Sequence, residues 1–210
     1  MPDFAAFSLF LTAAFLLSIT PGPGILYVLA RSLHGGCREG VWSSFGLFLG
    51  GLVHVFAAAV GLSTVLMTSA VAFSLVKYIG ATYLIYLGVK TLLGRGTTKT
   101  ETVEQLFETS RSTLVQGIFT EALNPKTALF FLAFIPQFVD PAAGSTLSQF
   151  LVLGLITASL NFLADMVVAL FAGPIGQHFK SNHRFQQRQQ TVSGCTMIGL
   201  GAYVALAEQK

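Results

Sequence analysis

Two short segments hold most of the chemistry this chain can offer. Thr20-Pro21-Gly22-Pro23-Gly24 and Asn124-Pro125-Lys126 each interrupt a long apolar run. A proline has no N–H and its ring clashes with the carbonyl four residues back. The carbonyls of Leu17, Ile19 and Glu121 therefore lose their helical partners. Two prolines with interleaved glycines predict an unwound segment, where a single proline would predict a kink at a helix contact. Asn124 adds a donor and an acceptor, and Lys126 a cation. His54, Asn161 and Asp165 are further polar groups set in apolar sequence. Exposed N–H groups at a half-helix N-terminus suit a carboxylate. Freed carbonyls, with Asp165 or Glu121, suit an ammonium. Both signs side by side would match a zwitterion such as an amino acid. Blander readings stand beside this one. Lys126 could pair permanently with Glu121 or Asp165, and His54 could simply bridge a tight helix contact.

The elements that position these groups follow from composition. The chain has 210 residues, 53% hydrophobic and 10% charged, with a mean hydropathy of +0.69. A soluble domain carries about 25% charged residues. A cytosolic enzyme, a disordered chain and a nucleic-acid binder are excluded on that ground, and lipid is the expected solvent. The net charge of +3 is too small and dispersed for a nucleic-acid footprint. Residues 4–30, 40–76 and 141–164 contain no Asp, Glu, Lys or Arg. A spanning helix needs about 20 mostly apolar residues. Six transmembrane helices are predicted, near 4–30, 40–66, 70–93, 113–138, 146–178 and 190–207, with a turn at Met67–Ala70. The runs are continuous rather than alternating, which argues against a barrel. Helix one follows Asp3 and no basic residue, so it reads as retained and not as a cleaved signal.

A charge in the bilayer costs at least about 3 kcal/mol, so its placement on a helix face matters. On helix two, Gly46, Gly50, His54, Ala57 and Gly61 recur at intervals of three or four, a small-residue face that turns His54 into the bundle. On helix five, Gly154, Ala158, Asn161, Asp165, Ala169 and Ala172 do the same for Asn161 and Asp165. The two proline motifs, the glycine pairs of helices two and five, and Gly80-Ala81-Thr82 against Gly194-Cys195-Thr196 form a weak internal repeat. Three helices followed by three helices must have opposite orientations. The expected plan is an all-α membrane protein of one domain, 1–210, built from inverted repeats 1–93 and 113–210 around a cytoplasmic loop 94–112. Val103, Leu106 and Phe107 in that loop could form a short amphipathic turn or be disordered. Arg31, Arg38, Arg95, Lys99, Arg111, Lys180, Arg184 and Arg188 fall on one side, which places both termini outside.

These motifs together resemble the lysine exporter and homoserine/threonine exporter (LysE/RhtB) superfamily. Ser18-Ile19-Thr20-Pro21-Gly22-Pro23 is similar to its proline–glycine–proline signature, and Gly46, Gly50 and His54 to its helix-two pattern. The block Lys77 to Gly88 is similar to its helix three. Asn124-Pro125-Lys126, with Phe130-Phe131 and Pro136-Gln137-Phe138, is similar to its helix four. The resemblance covers nearly the whole chain in order. It implies amino-acid efflux across the bacterial inner membrane, of neutral or homoserine/threonine-like substrates, with the proton gradient as driving force. It implies a core site at Pro21, Gly22, Pro23, Asn124, Pro125 and Lys126, with Asp165 as the helix-five acid. With Thr20, His54 and Asn161 these make the expected substrate site. Two departures stand out. Gly51 replaces an acid found in many members, and Glu121 replaces a neutral polar residue. Glu121, with Asp165, is accordingly expected to accept the coupling proton.

No cofactor or metal is expected, and the partners are an amino acid, protons and the bilayer. Small-residue faces serve contacts within and between subunits alike, so a homodimer stays open. The alternative from another class is a membrane thiol–disulfide electron carrier of the same inverted plan. It needs two close thiols, yet Cys37 and Cys195 adjoin neither proline break and form no CxxC. A passive channel and an intramembrane protease are weaker readings still.

Overall fold

The computed structural model describes residues 4–93, 112–172 and 183–206, and the regular structure among them is all helical. Helix α1 is Phe4–Ile19, α2 Pro23–Ala57, α3 Ser63–Thr68, α4 Ala70–Leu93, α5 Thr113–Ala122, α6 Pro125–Leu129, α7 Thr146–Leu170 and α8 His183–Leu206. Wider π turns occupy Ala58–Leu62 and Phe130–Phe134, and 3-10 turns Ile135–Phe138 and Pro141–Ala143. Two stretches, Pro23–Val65 and Thr146–Leu170, are long and apolar enough to cross a membrane. Thr113–Ala122 and Pro125–Phe138, bent by 41°, make a third if taken as one broken span. Large apolar side chains such as Phe45, Val53, Phe56, Ile79, Leu163 and Val167 lie exposed on the outside, as lipid contact requires.

Glycine shapes α2. Gly36, with φ 79° and ψ −179°, interrupts its helical geometry, a conformation that disfavours a side chain. Around it the chain doubles back, so that a Cβ on Gly40 would collide with Ser32. Helix α5 lies between the two arms. Tyr27 on the first arm donates to the Thr113 carbonyl at 2.8 Å. Gly46 and Gly50 on the second arm sit against the α5 backbone at Leu114 and Ile118. The expected loop between helices one and two is thus a glycine corner, and Arg31 and Arg38 lie on helical arms. Gly50→Ala forces a methyl against the Ile118 carbonyl and within 3.0 Å of the Ala122 nitrogen. Overpacking of this kind costs about 1–3 kcal/mol. The midpoint of thermal unfolding in detergent should fall by several degrees, and an unchanged midpoint would contradict the packing described.

The expected small face of helix two holds for Gly46, Gly50 and His54 and then shifts. Ala57 and Gly61 are exposed, while Ala58, Ala59 and Leu62 are buried. The π turn at Ala58–Leu62 supplies the reason: its wider turn moves the inward face on by one residue. On α7 the buried positions Gly154, Ala158, Asp165 and Ala169 follow the expected face. Helix five runs to Leu170 with Phe171 as its C-cap, and the expected continuation over 173–178 lies outside the described residues. Helix six begins at His183 instead of near 190, because polar residues such as Gln186 and Arg188 continue a helix beyond its apolar stretch. The loop reading of 94–112, with its amphipathic turn, lies outside the described residues except for Ser112, which caps α5.

Two helix pairs run antiparallel in close contact. Gly40 meets Ala169, Gly51 meets Ala158 and Val55 meets Gly154, so the second arm of α2 runs against α7. Gly88 meets Gly194 and Ala81 meets Gly201, so α4 runs against α8. An aromatic core fills one end, with Phe10 edge-on to Phe138 at 5.6 Å and Phe130 stacked on Phe134 at 4.7 Å. A smaller core of Tyr27, Val28, Leu47 and Ala169 fills the other.

Candidate functional site

The first break lies between α1 and α2. Gly22 is extended (φ −149°, ψ −175°), and α2 restarts at Pro23. The last turn of α1 therefore presents carbonyls without i+4 donors, a partial negative charge. Lys126 answers it from the second break. Its Nζ donates to the Leu17 carbonyl at 3.1 Å and to the Thr20 carbonyl at 2.8 Å. Gly22 makes this approach possible, since a Cβ there would lie 3.2 Å from Nζ and 3.3 Å from Cε. The hydrogen bonds of Nζ thus go to carbonyls, not to a carboxylate.

The second break is closed by side chains. Asn124 caps α6, its Oδ1 accepting from the Lys126 N–H at 3.0 Å. Because Pro125 cannot donate, the Glu121 carbonyl turns elsewhere. It accepts from the Asn124 N–H at 2.9 Å, and His54 Nε2 lies 2.9 Å away. The His54 ring packs on Phe131, with centroids 5.9 Å apart. The Glu121 carboxylate is held twice, by Asn124 Nδ2 at 2.9 Å and by Thr127 Oγ1 at 2.6 Å.

Between the breaks lies a cavity of about 20 Å³, room for about one water molecule. Ser18 of α1, Gly24 and Ile25 of α2, and Glu121, Asn124, Lys126 and Thr127 around the second break line it. Asn161 and Asp165 reach it from α7. Asp165 is only 6% exposed, and no described residue donates a hydrogen bond to it. Gly22, at the head of α2, has no side chain to cap the N–H groups of the first turn. A carbonyl-rich helix end, an uncapped amide-rich helix start and a carboxylate without a donor thus meet at one small cavity.

Of the residues expected from sequence, Thr20, Pro21, Gly22 and Pro23 form the first break. Glu121, Asn124, Lys126, Asn161 and Asp165 line the cavity. His54 sits behind it, against the Glu121 carbonyl. Sequence reasoning missed Ser18, Ile25 and Thr127. Thr127 follows the Asn-Pro-Lys motif directly, and only a broken helix turns it back onto Glu121. It also missed a polar cluster one turn nearer the Gly36 corner. There Arg31 donates to Gln116 and lies 5.6 Å from the centre of the Tyr27 ring, and Thr113 donates to Glu39. Cys37 and Cys195 are both free and exposed, and nothing in the structure supports the thiol-carrier alternative.

A protein of Vibrio cholerae called "Uncharacterized membrane protein" is 30% identical over 200 residues, spanning 95% of this chain and 96% of its own length. The "Leucine efflux protein" of Enterobacter sp. (strain 638) is 29% identical over 197 residues, with 93% of each chain covered. The protein of the same name in Salmonella typhimurium is 29% identical over 200 residues, covering 93% of this chain and 92% of that one. No solved structure matches the chain significantly. The family model described as "LysE type translocator" matches residues 15–208, a range that takes in both proline breaks and the acid of α7. The chain belongs to the LysE type translocator family.

Proposed function

We propose that this protein exports neutral amino acids, leucine first among them, from the bacterial cytoplasm across the inner membrane. One observation carries the reading. The buried Asp165 carboxylate, without a protein donor among the described residues, faces a cavity flanked by helix ends of both polarities. The ammonium of an amino acid would take the carbonyl end of α1 and Asp165, and its carboxylate the first-turn N–H groups of α2. The second break is less suited to the carboxylate, because Asn124 already caps α6. The leucine efflux relatives favour leucine over threonine or homoserine as the first substrate to test.

Six spans in two inverted repeats, with both termini outside, give the mechanism its symmetry. The antiparallel pairing of α2 with α7 and of α4 with α8 supports that plan. Proton coupling would use Glu121 and Asp165, two acids on one cavity that can hold either an ammonium or a proton between them.

The test uses purified protein in proteoliposomes loaded with labelled leucine, threonine or homoserine, with and without a pH gradient. Leucine efflux above protein-free vesicles, accelerated by the gradient, is expected. Counterflow between two labels would mark a carrier rather than a pore. No efflux of any amino acid in correctly inserted protein would overturn the reading. Glu121→Gln should abolish the response to an imposed pH gradient, and an undiminished response would remove Glu121 from coupling.

A further inference from the structure

Lys126 occupies the position that the reading above gives to the substrate. Its side chain ends in a primary alkylammonium, the same chemical group as the α-ammonium of an amino acid. That group donates to the Thr20 carbonyl, which takes no backbone N–H among the described residues, and to the Leu17 carbonyl, which Pro21 leaves with only the Thr20 N–H at 3.2 Å. The stem crosses Gly22 so closely that a Cβ there would lie 3.2–3.4 Å from its Nζ, Cε and Cδ, tighter than ordinary contact. Beside Nζ the cavity has room for about one water. Leucine therefore cannot place its ammonium on these carbonyls unless Lys126 withdraws.

We propose that Lys126 is a tethered stand-in for the substrate ammonium, displaced when an amino acid binds and restored when it leaves. The inference rests on the amino-acid reading and adds a step to it. A carrier must reorient twice per cycle, once loaded and once unloaded. Loaded, the substrate's ammonium satisfies the α1 carbonyls. Unloaded and without Lys126, the Thr20 carbonyl would be buried with no donor and the Leu17 carbonyl with only the Thr20 N–H, at a cavity lined by the carboxylates of Glu121 and Asp165. Burying such groups unpaired is costly, and the return step would stall. Lys126 supplies the missing cation. On substrate entry the four-carbon stem lets the ammonium swing away from the carbonyls, toward the two acids. No bond is made or broken, and the charge of the site stays constant because the entering amino acid is a zwitterion.

The proposal separates two modes of transport. Leucine–leucine exchange never needs the unloaded carrier to reorient, whereas net efflux needs it in every cycle. In proteoliposomes, Lys126→Gln should lower net leucine efflux at least tenfold more than it lowers exchange. The leucine concentration that half-saturates exchange should also fall, because an internal competitor has gone. Lys126→Arg, which keeps a cation, should hold the ratio of net efflux to exchange within about threefold of wild type. Equal loss of both modes in Lys126→Gln, or retention of both, would overturn the proposal while leaving the amino-acid reading intact. Wild-type protein that neither exchanges nor releases any amino acid would instead overturn the reading itself. Exchange by Lys126→Gln also shows that the variant is folded and inserted.

Discussion

Asp165→Asn should reduce leucine efflux at least about a hundredfold while the protein still folds and inserts. The substitution is nearly isosteric and leaves the α7 face of Gly154, Ala158 and Ala169 untouched. Because no described residue donates to Asp165, the change breaks no hydrogen bond of the fold. Stability should hold. Function should not, since an amide cannot offset the charge of a buried ammonium. Removing one partner of a buried charge pair costs about 3–5 kcal/mol, and each 1.4 kcal/mol is about tenfold in an equilibrium constant. Efflux from proteoliposomes and size-exclusion behaviour in detergent measure the two halves separately. Wild-type efflux in this variant would remove Asp165 from the mechanism.

Pro21→Ala should also impair transport strongly, through the backbone. Alanine restores an N–H at position 21, which can bond the Leu17 carbonyl as an unbroken helix would. That removes one of the two carbonyl acceptors of Lys126 and draws the extended Gly22 toward helical geometry. Proline in a helix interior costs about 3 kcal/mol or more, so its removal pulls the segment toward continuity with a force that substrate binding would have to overcome. Efflux should fall by about tenfold to a hundredfold, with a thermal midpoint equal to or above that of wild type. This opposition of rising stability and falling transport is what a functional break predicts. A mere kink would leave transport unchanged.

The parts of the site legible in the sequence are those set by local covalent chemistry. Pro21, Pro23 and Pro125 lack an N–H in any fold, so the breaks and the stranded carbonyls could be read directly. Gly46 and Gly50, or Asn161 and Asp165, share a face because a helix has a fixed period. Legibility stopped where the period changed. Nothing in Ala58-Ala59-Val60-Gly61-Leu62 announces a π turn, so the inward face was expected at Ala57 and Gly61 and lies one residue on. The corner at Gly36 was hidden in another way, since Gly35 and Gly36 sit among charged residues that read as a loop. Pairings between distant segments were out of reach. Lys126 was expected to find an acid, but hydrogen-bonds to carbonyls 109 and 106 residues earlier in the chain. The partner of His54 was equally unreadable, although the carbonyl it meets was identified as freed by Pro125.

The central claim is that the paired breaks recognise both charged ends of one zwitterion. Competition against labelled leucine counterflow in proteoliposomes tests it most directly, with leucine, leucine methyl ester and 4-methylpentanoate as competitors. The ester keeps the ammonium without the carboxylate, and the acid keeps the carboxylate without the ammonium. A site that hydrogen-bonds both groups should reject each analogue strongly, because its own polar groups are then left unpaired. Each analogue is expected to compete at least about a hundredfold more weakly than leucine. Competition by either one as effectively as by leucine would contradict the claim.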